Sequence, residues 1–81
     1  MFNKQRVIVF NIVKDDTIKI IDALSRYSYA NRSLTIVDCG LADRTIYCVE
    51  LRCKDRQFNI CMNTIMDLVK DGVSITRLST F

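Results

Sequence analysis

Residues 48–61 read CVELRCKDRQFNIC, from Cys48 to Cys61. Through Cys53 the side chains alternate. Val49 and Leu51 share one side, and Cys48, Glu50 and Arg52 share the other, the pattern of a strand. Lys54-Asp55-Arg56 then breaks the alternation. From Phe58 the period changes: Phe58, Cys61, Met62, Ile65, Leu68 and Val69 recur at the i, i+3, i+4, i+7 spacing of an amphipathic helix. Gly72 follows Lys70-Asp71 and suits the left-handed position after a helix end. The stretch therefore reads as a strand that turns into a helix.

Its three sulfurs invite another reading, which their spacing disfavours. With Cys39, the gaps are C-x8-C, C-x4-C and C-x7-C, and the chain has no histidine. Zinc sites use short pairs such as C-x-x-C. Cys48 and Cys53 are an odd number of residues apart and point to opposite faces. Cys61 falls on the apolar stripe of its helix, where a free thiol packs as a small hydrophobe. Three environments are expected: open sheet face, strand end and helix core. Cys39, beside Gly40, is the expected exposed thiol. No metal or cofactor is expected.

Outward from this stretch, the period alternates along the chain. Arg6 to Val13 (RVIVFNIV) is apolar on both faces, as in a central strand. Asp15 or Asp16 can cap a first helix, whose stripe is Ile20, Ile21, Ala23, Leu24 and Tyr27. Ser28 to Ser33 reads as a loop, Leu34 to Cys39 as a second strand, and Gly40 to Asp43 as a hairpin connection. Arg44 to Cys53 is the third strand, and Asp55 a cap for the second helix. Val73 to Ser79 closes the chain as a fourth strand. The order β-α-β-β-α-β predicts one α+β domain over residues 1–81 with the ferredoxin-like topology. Right-handed crossovers give a four-stranded antiparallel sheet of order 4-1-3-2 with both helices on one face.

Bulk properties narrow the function. The chain has 81 residues, 49% of them hydrophobic, with 12 basic and 9 acidic residues and a net charge of +3. No apolar run approaches the ~18 residues of a membrane span. The opening MFNKQRVIVFNIVKDD reads as a strand rather than a signal peptide, so the cysteines are expected as reduced thiols in a cytoplasm. Without histidine the commonest general base is missing. Asp15-Asp16 and Asp38 with Asp43 are more simply caps and turn flanks than catalytic pairs. Neither Gly40 nor Gly72 lies in a phosphate-loop pattern. The chain is not expected to be an enzyme.

Two families share this topology. Val7 to Ile12 (VIVFNI) and Arg44 to Leu51 (RTIYCVEL) resemble the strand-one and strand-three motifs of the RNA recognition motif. Ile8, Ile46 and Cys48 stand where that family stacks bases on aromatics, and Thr45 and Tyr47 replace its glycines. The whole span 6–79 is similar in pattern to the ACT-like regulatory domains. The resemblance lies in Asp15-Asp16 before the first helix, the stripe Ile18, Ile21, Leu24, and the run Phe58 to Ile75. It implies a small, non-catalytic, dimeric scaffold. Thr17 and Ile18 stand where that family commonly has Pro-Gly, a turn that helps to shape its amino-acid site. The resemblance therefore carries over the scaffold rather than a small-molecule ligand.

The expected site is the sheet face away from the helices. With the helices over Val7, Val9, Val49 and Leu51, that face carries Ile8, Phe10, Ile46 and Cys48, with Arg44 and Arg52 at its rim; the opposite phase of the first strand would also leave an apolar row. Such a patch marks an interface. The expected partner is a second copy or a larger protein. Single-stranded RNA is the alternative, its phosphates held by Arg44, Arg52, Lys54 and Arg56. A small inhibitor of a larger complex, such as a viral protein, is a third reading.

Overall fold

The computed structural model describes residues 4–25, 33–38 and 45–81. The elements are β1 (Gln5–Val13), α1 (Thr17–Ser25), β2 (Ser33–Asp38), β3 (Ile46–Lys54), α2 (Phe58–Lys70) and β4 (Ile75–Thr80). The class is α+β, as expected. The strands lie in the order β2-β3-β1-β4, and every neighbouring pair is antiparallel. Tyr27, Cys39, the turn at Gly40 and Arg44 lie outside the described residues.

One core joins sheet and helices. Ile8, Phe10 and Ile12 from β1 and Val49, Leu51 and Cys53 from β3 meet Ile20 and Leu24 of α1 and Cys61, Ile65 and Leu68 of α2. The cross-strand register pairs Phe10 with Val49 and Ile8 with Leu51, and directly paired residues share a face. The expected phase of β1 is thereby corrected. Ile8 and Phe10 are fully buried beneath the helices, and Val7, Val9 and Val13 take the open side. Bulk decides this, because isoleucine and phenylalanine fill the gap between helix and sheet better than valine. Asn11 shares the valine phase and keeps its amide away from the core.

The helix stripes are narrower than their sequence suggests. In α1, Ile20 and Leu24 are buried, whereas Ile21 is half-exposed and Ile18 is 79% exposed. In α2, Val69 is exposed, and the buried Thr64 donates its hydroxyl to the Ile60 carbonyl at 2.9 Å.

The helix starts also differ from expectation. Each helix is preceded by a 3-10 turn, Lys14–Asp16 and Asp55–Gln57, entered from extended Val13 and Lys54. Asp15 and Asp16 sit in the first of these turns, where no side chain makes a capping hydrogen bond. Their charge still suits the helix dipole. At the second, Gln57 Oε1 accepts the Lys54 N–H at 3.4 Å, and the Asp55 carboxylate turns to Arg6 instead.

The end of α2 matches its sequence signal. Gly72 has φ +95°. Its N–H bonds the Val69 carbonyl at 3.1 Å, and the Val73 N–H bonds the Leu68 carbonyl at 3.0 Å. This is the Schellman pattern, with its usual apolar contact formed here between buried Leu68 and Val73.

Candidate protein-interaction face

The open side of the sheet is built from alternate residues of β1 and β3. Val7 pairs with Arg52, Val9 with Glu50, Asn11 with Cys48 and Val13 with Ile46. These are the partners left over when the other phase packs under the helices. Ile46, Cys48 and Arg52 thus stand on the open face as expected, while Ile8 and Phe10 do not. Valines replace the larger residues, so the apolar row is smaller than the sequence reading supposed. Lys54 continues the open-side phase of β3, and Arg56 is exposed in the following turn.

β4 adds what the sequence reading missed. The Phe81 N–H donates to the Val7 carbonyl at 2.8 Å, and the Val7 N–H returns a bond to the Phe81 carbonyl at 3.2 Å. This exchange defines a directly opposed antiparallel pair, whose side chains share a face. Phe81 therefore joins Val7 on the open side, where it is 71% exposed. The sequence signal was weak: an aromatic just beyond a short strand, with no alternation after it.

A bulge precedes Phe81. Val9 pairs with Ser79 and Asn11 with Thr76, so Arg77 and Leu78 both face Phe10 across the ladder. Arg77 takes φ 54°, the left-handed value used at many bulges. The extra residue resets the phase of β4. Without it, Thr80 rather than Phe81 would fall on the open side.

Arg6 anchors this end of the molecule. Its Nε donates to the Phe81 carbonyl at 3.0 Å, its Nη1 reaches Asp55 Oδ1 at 3.1 Å, and its guanidinium lies 3.9 Å from the centre of the Phe58 ring. On the open face, Arg52 Nη2 meets Glu50 Oε1 at 3.2 Å. Both partners are well exposed, so the pair is worth less than ~1 kcal/mol.

Of the described cysteines, Cys48 is on the open face, Cys53 near the end of β3 and Cys61 on the buried side of α2, as expected, and the last two meet in the core. Cys48 is half-buried, and Cys53 and Cys61 are both buried. Burial first, and then the neighbouring Cys61, push the Cys53 thiol up from 9.0 to about 11. A buried, protonated thiol is a poor nucleophile. Among the described residues, no three side chains of the metal-binding types converge, and no helix is long and apolar enough to cross a membrane.

A cleft of about 280 Å³ opens between α1 and the end of α2, lined by Lys19, Asp22, Ala23, Leu68, Asp71 and Val73. It lies on the helix side, at the end of the molecule away from Phe81. No family model, curated protein or solved structure matches the chain.

Proposed function

We propose that this chain is a non-enzymatic interaction module of ferredoxin-like, ACT-like build that associates with a second copy through its open sheet face. The observation that carries the reading is Phe81, an exposed aromatic held in place by backbone pairing beside Val7. Val7, Val9, Val13, Ile46 and Cys48 extend the apolar surface beside it, and exposed aromatics of this kind are the usual anchors of interfaces. Glu50 and Arg52 lie two residues apart on the same strand. A two-fold axis can therefore bring each to its counterpart in the partner, which makes the face self-complementary. Four strands about 4.8 Å apart, two of nine residues and two of six, give a footprint of roughly 480 Å². That is smaller than the ~800 Å² of accessible surface per partner in a typical stable complex, so the expected dimer is a weak one. The buried thiols of Cys53 and Cys61 fit a reducing, cytoplasmic setting.

Solution mass measured from micromolar to millimolar concentration tests the reading. Wild type should pass from monomer to dimer. Phe81→Ser should weaken the dimer about 30-fold, the loss expected of an interface anchor, with its circular dichroism unchanged. A strict monomer at every concentration would refute self-association.

Phe81 and Arg52, which flank Val7 on the open face, also support a second reading, single-stranded RNA, with the ring stacking a base. Glu50 in the middle of the face and the lack of rings on β1 and β3 open positions weigh against it. Binding to mixed oligonucleotides that falls steeply with salt would favour it.

A further inference from the structure

Two thiols meet inside the core, and the self-association proposed above does not use them. Cys53 on β3 and Cys61 on α2 are 0% and 1% exposed. Both are free, and their side chains are hydrogen-bonded to each other. The C-x7-C spacing leaves between them Lys54, the turn Asp55–Gln57 and the first turn of α2. Burial alone is usual for a free cysteine. Contact between two of them adds a chemistry that neither has singly.

Arg6 closes this site. It stands directly opposite Cys53 in the ladder between β1 and β3, so both side chains take the helix side of the sheet. Its guanidinium lies 3.9 Å from the centre of the Phe58 ring, and its Nη1 lies 3.1 Å from Asp55 Oδ1. Phe58 stands one turn before Cys61 on the same face of α2. Asp55 belongs to the turn that joins the two cysteines. One side chain therefore fastens the segment between the thiols to the strand beside them. Arg6 is itself partly exposed, so the fastening is open to solvent while the sulfurs are not.

We propose that Cys53 and Cys61 form a redox-sensitive pair, which a small disulfide of the glutathione class converts to an intramolecular disulfide when the Arg6 latch opens. Closed, the pair is inert, because buried protonated thiols are poor nucleophiles. Opening admits water and the oxidant. One thiol loses its proton, and its thiolate attacks a sulfur of the oxidant. One glutathione thiolate leaves, and a mixed disulfide remains on the protein. The second thiol, deprotonated in turn, attacks the protein sulfur of that bond. The S–S bond between Cys53 and Cys61 forms, and the second glutathione thiolate leaves. Two electrons pass from the protein to the oxidant, and the two protons lost by the protein balance the two glutathione thiols formed. The second attack is intramolecular, between groups that the fold already holds together, so it outruns capture of another glutathione. The product staples β3 to α2 across the turn, whose closure then no longer depends on Arg6.

Wild-type protein held in glutathione redox buffers under native conditions tests the proposal by peptide mapping after alkylation. Trypsin cuts after Arg52, Lys54, Arg56 and Lys70, so the disulfide links fragment 53–54 to fragment 57–70. No other pairing of the chain's cysteines gives that mass. The linked fragment, in chains of monomer mass and reversed by reduced glutathione, is the expected result. Cys53 and Cys61 left free, captured singly as mixed disulfides, or linked only in urea would overturn the pair.

The latch has its own test. Arg6→Gln should speed formation of the linked fragment about 5- to 30-fold, the range for the stability that its contacts supply. Gly72→Ala, at the far end of α2, should leave the rate unchanged. Equal acceleration by both variants would place the reaction in the unfolded chain and overturn the latch. So would an unchanged rate in Arg6→Gln that keeps its circular dichroism. The wild-type product tests the pair whether or not that variant folds.

Discussion

Arg6 and Phe81 meet across 75 positions of sequence, the Arg6 Nε donating a 3.0 Å hydrogen bond to the Phe81 carbonyl. The contact ties the first strand of the sheet to the residue that follows the last. The same guanidinium also holds Asp55 and covers the Phe58 ring, so one side chain joins β1, the turn before α2, α2 itself and the end of β4.

Arg6→Gln removes all three contacts. The ion pair is partly exposed and worth less than ~1 kcal/mol, the ring contact adds ~0.5–1, and the hydrogen bond about as much again. A loss of about 1–2 kcal/mol in urea unfolding is expected. Dimerisation should weaken as well, because Phe81 loses an anchor. A dimer unchanged at native-like stability would show that Val7 alone positions Phe81.

Phe10 and Phe81 should behave as opposites. Phe10 is fully buried, and Phe10→Ala should cost about 3–5 kcal/mol through lost burial and the cavity left behind. Phe10→Asp should not fold. Phe81→Ser should change monomer stability by less than about 0.5 kcal/mol and act on the monomer–dimer equilibrium. Equal destabilisation by Phe10→Ala and Phe81→Ser would contradict the assignment of faces.

Gly72→Ala tests the end of α2. A Cβ at Gly72 meets nothing within 4 Å, so crowding contributes no penalty. The backbone at φ +95° remains unfavourable for a side chain, and about 1 kcal/mol of destabilisation is expected. Gly72→Asn should cost less, since asparagine tolerates positive φ better. Thermal unfolding of the two variants side by side would show the order.

Alkaline pH tests Cys53. Its thiol ionises near 9.0 when unfolded and is pushed up to about 11 in the fold, first by burial and then by Cys61. Below pH 9 both states keep the proton and stability is flat. Between about pH 9 and 11 the unfolded chain binds fewer protons, so stability falls as pH rises, by on the order of 2–3 kcal/mol over the window. Cys53→Ala should be less stable at neutral pH but lose this slope. An identical alkaline slope in the variant would assign the effect to another group.

Local signals carried the α+β class because they depend on period alone. Alternation through Leu51, the helical spacing from Phe58 to Val69 and the glycine at position 72 each report a backbone geometry that neighbouring residues impose on one another. Periodicity also placed Val49 and Leu51 under the helices and Ile46, Cys48 and Arg52 on the open face. It could not set the phase of β1, where apolar residues occupy both sides and alternation is lost. Asn11 was the one local hint. Pairing with β3 and the bulk of Ile8 and Phe10 decided the matter in three dimensions. The meeting of Cys53 with Cys61, the reach of Arg6 and the exposure of Phe81 lay further still from the sequence. Each depends on strand register, and for Phe81 on a one-residue bulge that moves a side chain from one face to the other.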